Sequence, residues 1–178
     1  EISECLVGSE MCIRDRPDYS SISSYANTGI TTIYANDRQT VLAKIYLENR
    51  IEVSQDEVAE YVLEGTVATE DERFYEHGGI DPIGIARAVL VNAASGGTSE
   101  GASTITQQLV RNTVLLDEMT DRSIRRKVRE MYIASQIERQ YTKDEILMMY
   151  LNTIYYGHGA YGIEAAAETY LSKSCLLY

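Results

Sequence analysis

The segment Thr66 to Gly79, TVATEDERFYEHGG, is the part of the chain whose residue types most clearly indicate chemistry. An apolar helical run ends there in four acids within seven residues, namely Glu70, Asp71, Glu72 and Glu76. Like charges this close oppose one another, and the carboxyl end of a helix adds an unfavourable dipole. Folding alone gives little reason for such crowding. The segment therefore predicts a carboxylate poised as a general base, with a solvated surface turn as the alternative.

A second candidate group is basic. Five of the sixteen cationic residues fall within eight positions, at Arg122, Arg125, Arg126, Lys127 and Arg129. At 100° per residue, Arg126, Lys127 and Glu130 share one arc of a helix. Because the chain has a net charge of -11, a local cluster of cations indicates an anionic ligand. The alternative is a solvated helix with an i,i+4 ion pair that contributes about 0.3 to 0.5 kcal/mol.

Between these two groups, Gly101 to Asn112 reads GASTITQQLVRN and is rich in hydroxyl and amide side chains. Either Ser103 or Thr104 is a suitable cap for a helix that begins here. The free backbone N–H groups of a helix start can bind an anion. A polar surface helix explains the same composition equally well, so this stretch alone does not decide between them.

The acidic cluster follows a predicted helix. Ser54 and Glu57 match a capping box, and apolar residues then recur at helical spacing as far as Gly65. This spacing places Glu70 at or just beyond a helix end. Upstream, two β-rich runs around Asn36-Asp37 predict a short hairpin within residues 29–49.

Four further helices are predicted downstream of the acidic cluster. Asp81-Pro82 is a good start for an amphipathic helix that ends at Gly96-Gly97. Residues 120–141 read as the longest helix, with Ile124, Val128 and Met131 forming an apolar stripe toward the core. Thr142 and Glu145 form a capping box before a short packed helix, and residues 163–171 form the last helix. The chain is therefore expected to be mainly α.

Composition limits the classes of protein that this chain can be. Its 178 residues are 44% hydrophobic, which is enough to bury a core and most naturally forms one domain. The acidic net charge argues against general nucleic-acid binding, and no apolar run approaches the roughly eighteen residues of a membrane span. No spacing of His, Cys and Asp resembles a protein zinc site.

The two ends differ from the rest of the chain. Residues 1–16 and 174–178 have neither a clear amphipathic period nor turn residues, and they resemble translated sequencing-adapter remnants. All three cysteines, Cys5, Cys12 and Cys175, lie in these ends. We therefore expect both ends to be non-native flanks that dock nowhere, around a linker and hairpin at 17–53 and a domain at 54–173. We also expect the native chain to continue in both directions.

Five ordered motifs resemble those of glycosyltransferase family 51, the peptidoglycan polymerase domain of class A penicillin-binding proteins and monofunctional transglycosylases. The motifs are EDERFYEHGG, GASTITQQLVRN, RKVRE, KDEILMMYLN and GHGAYGIEAAAETYLSK, and the resemblance covers roughly residues 31–173. It implies a mainly α-helical, lysozyme-like fold of two lobes around a cleft, the smaller lobe contacting the membrane. It also implies inverting transfer that polymerises lipid II into glycan strands and releases undecaprenyl diphosphate.

The resemblance also implies roles for individual residues. Glu70 matches the general base, and Glu130 matches the second catalytic glutamate of the cleft. Residues matching the first motif or substrate contacts are Asp71, Phe74, His77, Ser103, Thr104, Gln108, Arg111 and Asn112. Arg126 and Lys127 match the cations that bind the diphosphate. Arg111 stands where a lysine is common, which keeps the charge but changes its geometry.

The partners that the resemblance implies are lipid II, the growing glycan, the outer face of the bacterial cell membrane and, in a longer protein, a downstream transpeptidase domain. A divalent cation such as magnesium or manganese is expected only with the substrate diphosphate, because the sequence supplies no protein cage for it.

Two other functions are compatible with parts of this pattern. A lysozyme-like hydrolase or lytic transglycosylase also uses carboxylates in a sugar cleft. The cations at Arg126 and Lys127 argue against it, because a neutral leaving sugar does not need them. A noncatalytic helical module that binds membranes or partners through its basic segment is the second alternative.

Overall fold

The computed structural model describes residues 31–45, 48–97, 101–121 and 123–177. Within these ranges the six α-helices are α1 Glu60–Glu70, α2 Pro82–Ser95, α3 Ile105–Asn112, α4 Ile124–Ile137, α5 Lys143–Thr153 and α6 Ile163–Leu171. The strands are β1 Thr31–Tyr34, β2 Val41–Ile45, β3 Asn49–Arg50, β4 Tyr155–Gly157 and β5 Ala160–Tyr161. This architecture confirms the predicted mainly α fold.

The predicted hairpin is formed by the antiparallel strands β1 and β2. Its turn is held by Asp37, whose Oδ1 accepts from the backbone N–H groups of Gln39 and Thr40 at 2.9 Å each. A second sheet, in which β5 lies between β3 and β4, was not predicted, because its strands are only two or three residues long.

The core lies where α3, α4 and α5 pack together. Ile105 and Leu109 from α3 belong to one buried cluster with Ile133 and Ile137 from α4 and Leu151 from α5. Helix α3 is therefore central, and the interpretation of residues 101–112 as a polar surface helix is wrong. Its polar residues Thr106 and Gln107 are buried as well, so they must find partners inside the protein.

Helix α1 begins later than predicted. The Ser54 backbone N–H does donate to Glu57 at 2.9 Å, but this capping box starts a short 3-10 turn, Gln55–Glu57, and the α-helix begins at Glu60. Its other end agrees with the prediction, because the last helical residue is Glu70. The acidic side chain therefore projects from a helix terminus.

Helix α2 has the predicted ends and an unexpected environment. Asp81 caps it by accepting from the Ile83 backbone N–H at 3.1 Å, and Gly96 ends it in the left-handed conformation at φ 67°. Several of its apolar residues face solvent, however, with Leu90 71% exposed and Val89 exposed too, whereas Ala88 is buried. Among the described residues, no helix is long and apolar enough to cross a membrane.

Helix α4 is shorter than predicted, and in its first half it presents a different face to the core than predicted. It covers 14 residues, the same length as α2, and not residues 120–141. The predicted core stripe is exposed at two of its three positions, Ile124 at 83% and Val128 at 59%. Glu130 is 0% exposed instead. The prediction failed in the first half of the helix because it assumed that only apolar residues mark the inner face, whereas Glu130 points inward there, paired with Arg126 and Lys127. The second half does bury apolar residues, namely Ile133, Ala134 and Ile137.

The C-terminal segment packs against the domain. Cys175 is buried against Val58 and Ala167, and its backbone N–H donates to Glu164 at 2.8 Å. Burial, followed by the neighbouring Glu164, raises the pKa of the Cys175 thiol to about 12. The expectation that residues 174–178 dock nowhere is therefore wrong. The other predicted flank, residues 1–16, lies outside the described residues.

Candidate functional site

Glu70, like its neighbour Glu72, is an accessible carboxylate of the acidic cluster. Its side chain is exposed at the end of α1, and its Oε2 accepts a hydrogen bond from the Gln108 amide at 2.8 Å. The other side of that amide, Oε1, accepts from the Tyr150 hydroxyl at 3.3 Å. Burial, and then the charge of Glu70, raises the pKa of Tyr150, so this hydroxyl stays a donor. Gln108 is thereby oriented to give its N–H to Glu70.

The loop after Glu70 is anchored from inside the protein. Both oxygens of Asp71 lie 2.9 to 3.0 Å from Nε2 of His77, and Oδ2 also accepts from the Ile105 backbone N–H at 3.0 Å. Phe74 is fully buried, with the Lys143 ammonium 4.4 Å from its ring centroid. The side chains of Asp71, Phe74 and His77 therefore hold this loop on the start of α3. Their direct contact with a substrate stays a prediction.

Gly79 ends this loop against two helices. Its φ of 83° disfavours other residues, and a Cβ there would meet the Ala134 carbonyl oxygen at 2.8 Å. Its own carbonyl accepts from Thr104 Oγ1 at 2.9 Å and from the Gln107 amide at 3.0 Å. The segment from Glu70 to Gly79 is thus fastened to α3 and pressed on α4.

The amino terminus of α3 uses its backbone N–H groups internally. Thr104 is the cap, because its hydroxyl accepts from the Gln107 backbone N–H at 3.2 Å. Asp71 takes the Ile105 N–H, as described above. These two groups do not face a ligand, so the proposed anion site at this helix start is not formed by them. Ser103, the other candidate cap, contacts Lys127 instead.

The second part of the site is a buried cluster on α4. Glu130 Oε1 accepts from Lys127 Nζ at 2.5 Å, and Oε2 accepts from the Arg126 guanidinium. Lys127 Nζ donates as well to Ser103 Oγ at 2.8 Å and to Gln107 Oε1 at 2.7 Å. The interpretation of Arg126 and Glu130 as a solvated ion pair is therefore wrong. Two cations around one carboxylate leave the cluster with net positive charge.

The charge of Arg111 on α3 acts on both parts of the site. Burial lowers the pKa of the Lys127 ammonium, Glu130 opposes that shift, and Arg111 and Arg126 add to it. Arg111 also opposes the rise in the pKa of Tyr150, whose hydroxyl donates to the Gln108 amide beside Glu70. The remaining predicted site residue on this helix, Asn112, donates to the Gln108 carbonyl at 2.7 Å.

A cavity of about 280 Å³ lies between the end of α1, the start of α2 and the segment before α3. Its wall includes Glu70 and Ser103, and on the α2 side Arg73 and Arg87. Arg73 pairs with Asp81, the cap of α2. The cavity therefore borders the exposed carboxylate at one point and the hydroxyl partner of Lys127 at another. Such a site can accept a proton and, nearby, stabilise an anionic group.

A metal cage is not part of this arrangement. In the ranges that the structure describes, no group of three or more His, Cys, Asp or Glu residues could hold a metal ion. Glu130, the most buried carboxylate of the site, already has two cationic partners. The divalent cation expected with the substrate diphosphate stays a prediction.

Two residues of the site were not singled out from the sequence. Gln107 precedes the predicted Gln108 on α3, and Tyr150 lies on α5, which the sequence predicted only as a packed helix. Their hydrogen bonds reach residues 20 to 42 positions away, and no local pattern reports such contacts. Only the burial of Gln107 in the structure shows that its amide needs hydrogen-bond partners inside the protein.

Comparison with known proteins gives a consistent match. The family model described as Transglycosylase matches residues 38–176. Penicillin-binding protein 1A of Escherichia coli K12 is 44% identical over 158 residues, 89% of this chain and 18% of that protein. Penicillin-binding protein 1F of Bacillus subtilis 168 is 48% identical over 132 residues, 74% of this chain and 18% of that protein. The chain thus spans less than a fifth of the length of these two relatives.

Proposed function

Because this chain belongs to the transglycosylase family, we propose that it is a peptidoglycan glycosyltransferase that polymerises lipid II into glycan strands. The observation that carries the proposal is the contrast within one site between the exposed carboxylate of Glu70 and the cationic cluster around Glu130. A single inverting displacement needs a base for the acceptor and positive charge for a diphosphate leaving group.

In the proposed reaction, the 4-hydroxyl oxygen of an incoming lipid-linked disaccharide forms a bond to the anomeric carbon of the growing glycan. The bond from that carbon to the diphosphate oxygen breaks, and undecaprenyl diphosphate leaves with the bonding electrons. Glu70 takes the hydroxyl proton. Arg126 and Lys127 offset the charge of the diphosphate, with Glu130 holding both cations in place. The expected divalent cation would be held by the diphosphate itself and would offset part of its charge.

The decisive experiment is incubation of the purified chain with lipid II and, separately, with finished glycan. Polymer formed from lipid II supports the proposal. Cleavage of the glycan would instead identify a lysozyme-like hydrolase or lytic transglycosylase. No reaction with either, by a folded chain, would favour a noncatalytic module.

The role of the cations has a test of its own. Replacement of Arg126 and Lys127 by Ala should weaken binding of a lipid-linked diphosphate far more than binding of undecorated glycan. The thermal midpoint must be measured alongside, because these changes also remove partners of buried Glu130. An equal loss of affinity for both ligands in a titration would contradict a role in diphosphate binding.

We also propose that the outer face of the bacterial cell membrane is where the chain acts, with α2 in contact with lipid. The support is the exposed apolar face of α2, which includes Ile83, Val89 and Leu90. Replacement of Val89 and Leu90 by Ser should reduce co-sedimentation with phospholipid vesicles without lowering the thermal midpoint. Unchanged co-sedimentation would move the membrane contact elsewhere.

In the longer protein, a transpeptidase domain is proposed to accompany this domain, since its relatives are penicillin-binding proteins. The flanking gene sequence tests this, and a stop codon directly after the last motif would contradict it.

A further inference from the structure

Gln107 is a buried amide with a partner at each end. Its residue is 1% exposed, its Nε2 donates to the Gly79 carbonyl at 3.0 Å, and its Oε1 accepts from Lys127 Nζ at 2.7 Å. The side chain therefore spans from the loop that begins at Glu70 to the cationic cluster on α4.

The orientation of this amide is determined by its surroundings. A backbone carbonyl such as that of Gly79 can only accept, so the NH2 group must face it. The amide oxygen is then left to face Lys127, which as an ammonium can only donate. The opposite orientation would place two acceptors together at one end and two donors together at the other.

The three N–H donors of Lys127 are all used in this structure. Two acceptors, Gln107 and Glu130, are buried, and the third, Ser103, is partly exposed on the cavity wall. A phosphate oxygen that binds Lys127 from the cavity would therefore replace Ser103. The two buried acceptors would keep the ammonium in place.

We propose that Gln107 is a positioning residue, which holds the Lys127 ammonium beside Ser103 on the cavity wall and ties it to the loop that follows the base. The proposal rests on the proposed function, because it takes Lys127 as the contact for the substrate diphosphate. Gln107 itself touches no reacting atom. Its loss should release the ammonium on one side and the Gly79 carbonyl on the other.

The first test needs no substrate. The chain has four lysines, Lys44, Lys127, Lys143 and Lys173, so their side-chain carbons can be followed individually by NMR as pH rises. Charged groups that face Lys127 are Glu130 and Arg126 from α4 and Arg111 from α3. With these unchanged, Gln107→Met removes one acceptor and should lower the pKa of Lys127 by about one unit.

Gln107→Glu should have the opposite effect on the ammonium. It places a carboxylate beside Lys127, so the pKa of Lys127 should rise, while the Gly79 carbonyl loses its donor in both variants. The control is Gln140→Met at an exposed position, which should leave Lys127 unchanged. If Gln107→Met does not fold, the direction of the shift in Gln107→Glu decides alone. An unshifted Lys127 in the folded variants would overturn the proposal.

The second test uses lipid II. Gln107→Met should weaken its binding about tenfold, because an ammonium that is no longer held in place makes a poorer contact with the diphosphate. Unchanged binding in a folded Gln107→Met would also overturn the proposal. Should the parent chain fail to polymerise lipid II, the proposed function is lost, whereas the titration of Lys127 still decides whether Gln107 positions it.

Discussion

Glu70 and Glu130 are two carboxylates of one site in opposite surroundings. Glu70 is exposed at a helix end and has a neutral amide as its donor, whereas Glu130 is buried in mid-helix between an ammonium and a guanidinium. A carboxylate reachable from the cavity can take a proton from a substrate. One that is closed off and doubly paired serves instead as a counter-ion that fixes its cations.

The substitution with the largest expected effect is Glu70→Gln, which tests whether the exposed glutamate is the base. The amide keeps the size of the side chain but cannot accept a proton, so polymerisation should fall by about 10² to 10⁴. The thermal midpoint and lipid II binding should stay near those of the parent, because the side chain is exposed. Turnover close to the parental rate would remove Glu70 as the base and direct the search to Glu130 or Asp71.

The matching change, Glu130→Gln, should act mainly on stability and binding. It leaves two partly buried cations without their counter-charge, and removing one partner of a buried pair typically costs about 3 to 5 kcal/mol. Denaturant unfolding of both variants measures the contrast. Parental stability for Glu130→Gln, with only its rate lost, would show that the two glutamates do not differ as we describe.

The pH dependence of substrate binding tests the role of Lys127, one of the two cations paired with Glu130. Burial lowers the pKa of Lys127, so its positive charge is lost at a lower pH than for an ordinary lysine. Lipid II affinity should therefore fall as pH rises through that lowered pKa. Lys127→Arg keeps its charge to higher pH, so its affinity, relative to its own value at pH 7, should decline less. Equal declines in both proteins would assign the effect to another group.

The smallest expected effect is on the Glu70 side. Tyr150→Phe removes the hydroxyl that orients Gln108, and one neutral hydrogen bond contributes about 1 kcal/mol, or roughly fivefold in rate. The binding of lipid II should change little. Tyr61→Phe, at an exposed position on α1, is the matched control. A loss of affinity without loss of rate would link Tyr150 to the cationic cluster instead.

The sequence predicted both ends of α2 and the start of α5 well because their caps are local. Asp81 and Gly96 at α2 and Thr142 at α5 all act on backbone groups within a few residues. The same locality placed Glu70 at its helix terminus. It also identified the spacing of Arg126, Lys127 and Glu130, since three and four positions along a helix bring side chains onto one face.

The direction in which that face points was not predictable from periodicity. Polarity suggested that Ile124 and Val128 point inward, and the structure has Glu130 there, because its charge is balanced by neighbours that a hydropathy pattern does not recognise. Long-range hydrogen bonds could not be predicted from the sequence pattern either. The links from Gln107 to Gly79 and from Tyr150 to Gln108 depend on how the helices pack.

The close contact at Gly79 determines how this domain tolerates sequence variation. A library randomised at Gly79 should return glycine almost exclusively among folded clones, because any side chain meets the Ala134 carbonyl in a backbone conformation that already disfavours it. Gly65, inside α1, has no neighbour within 4 Å of a built Cβ. Alanine should be enriched there, since it favours a helix by about 1 kcal/mol over glycine. Two glycines 14 positions apart thus mark a fixed and an improvable site of the same scaffold.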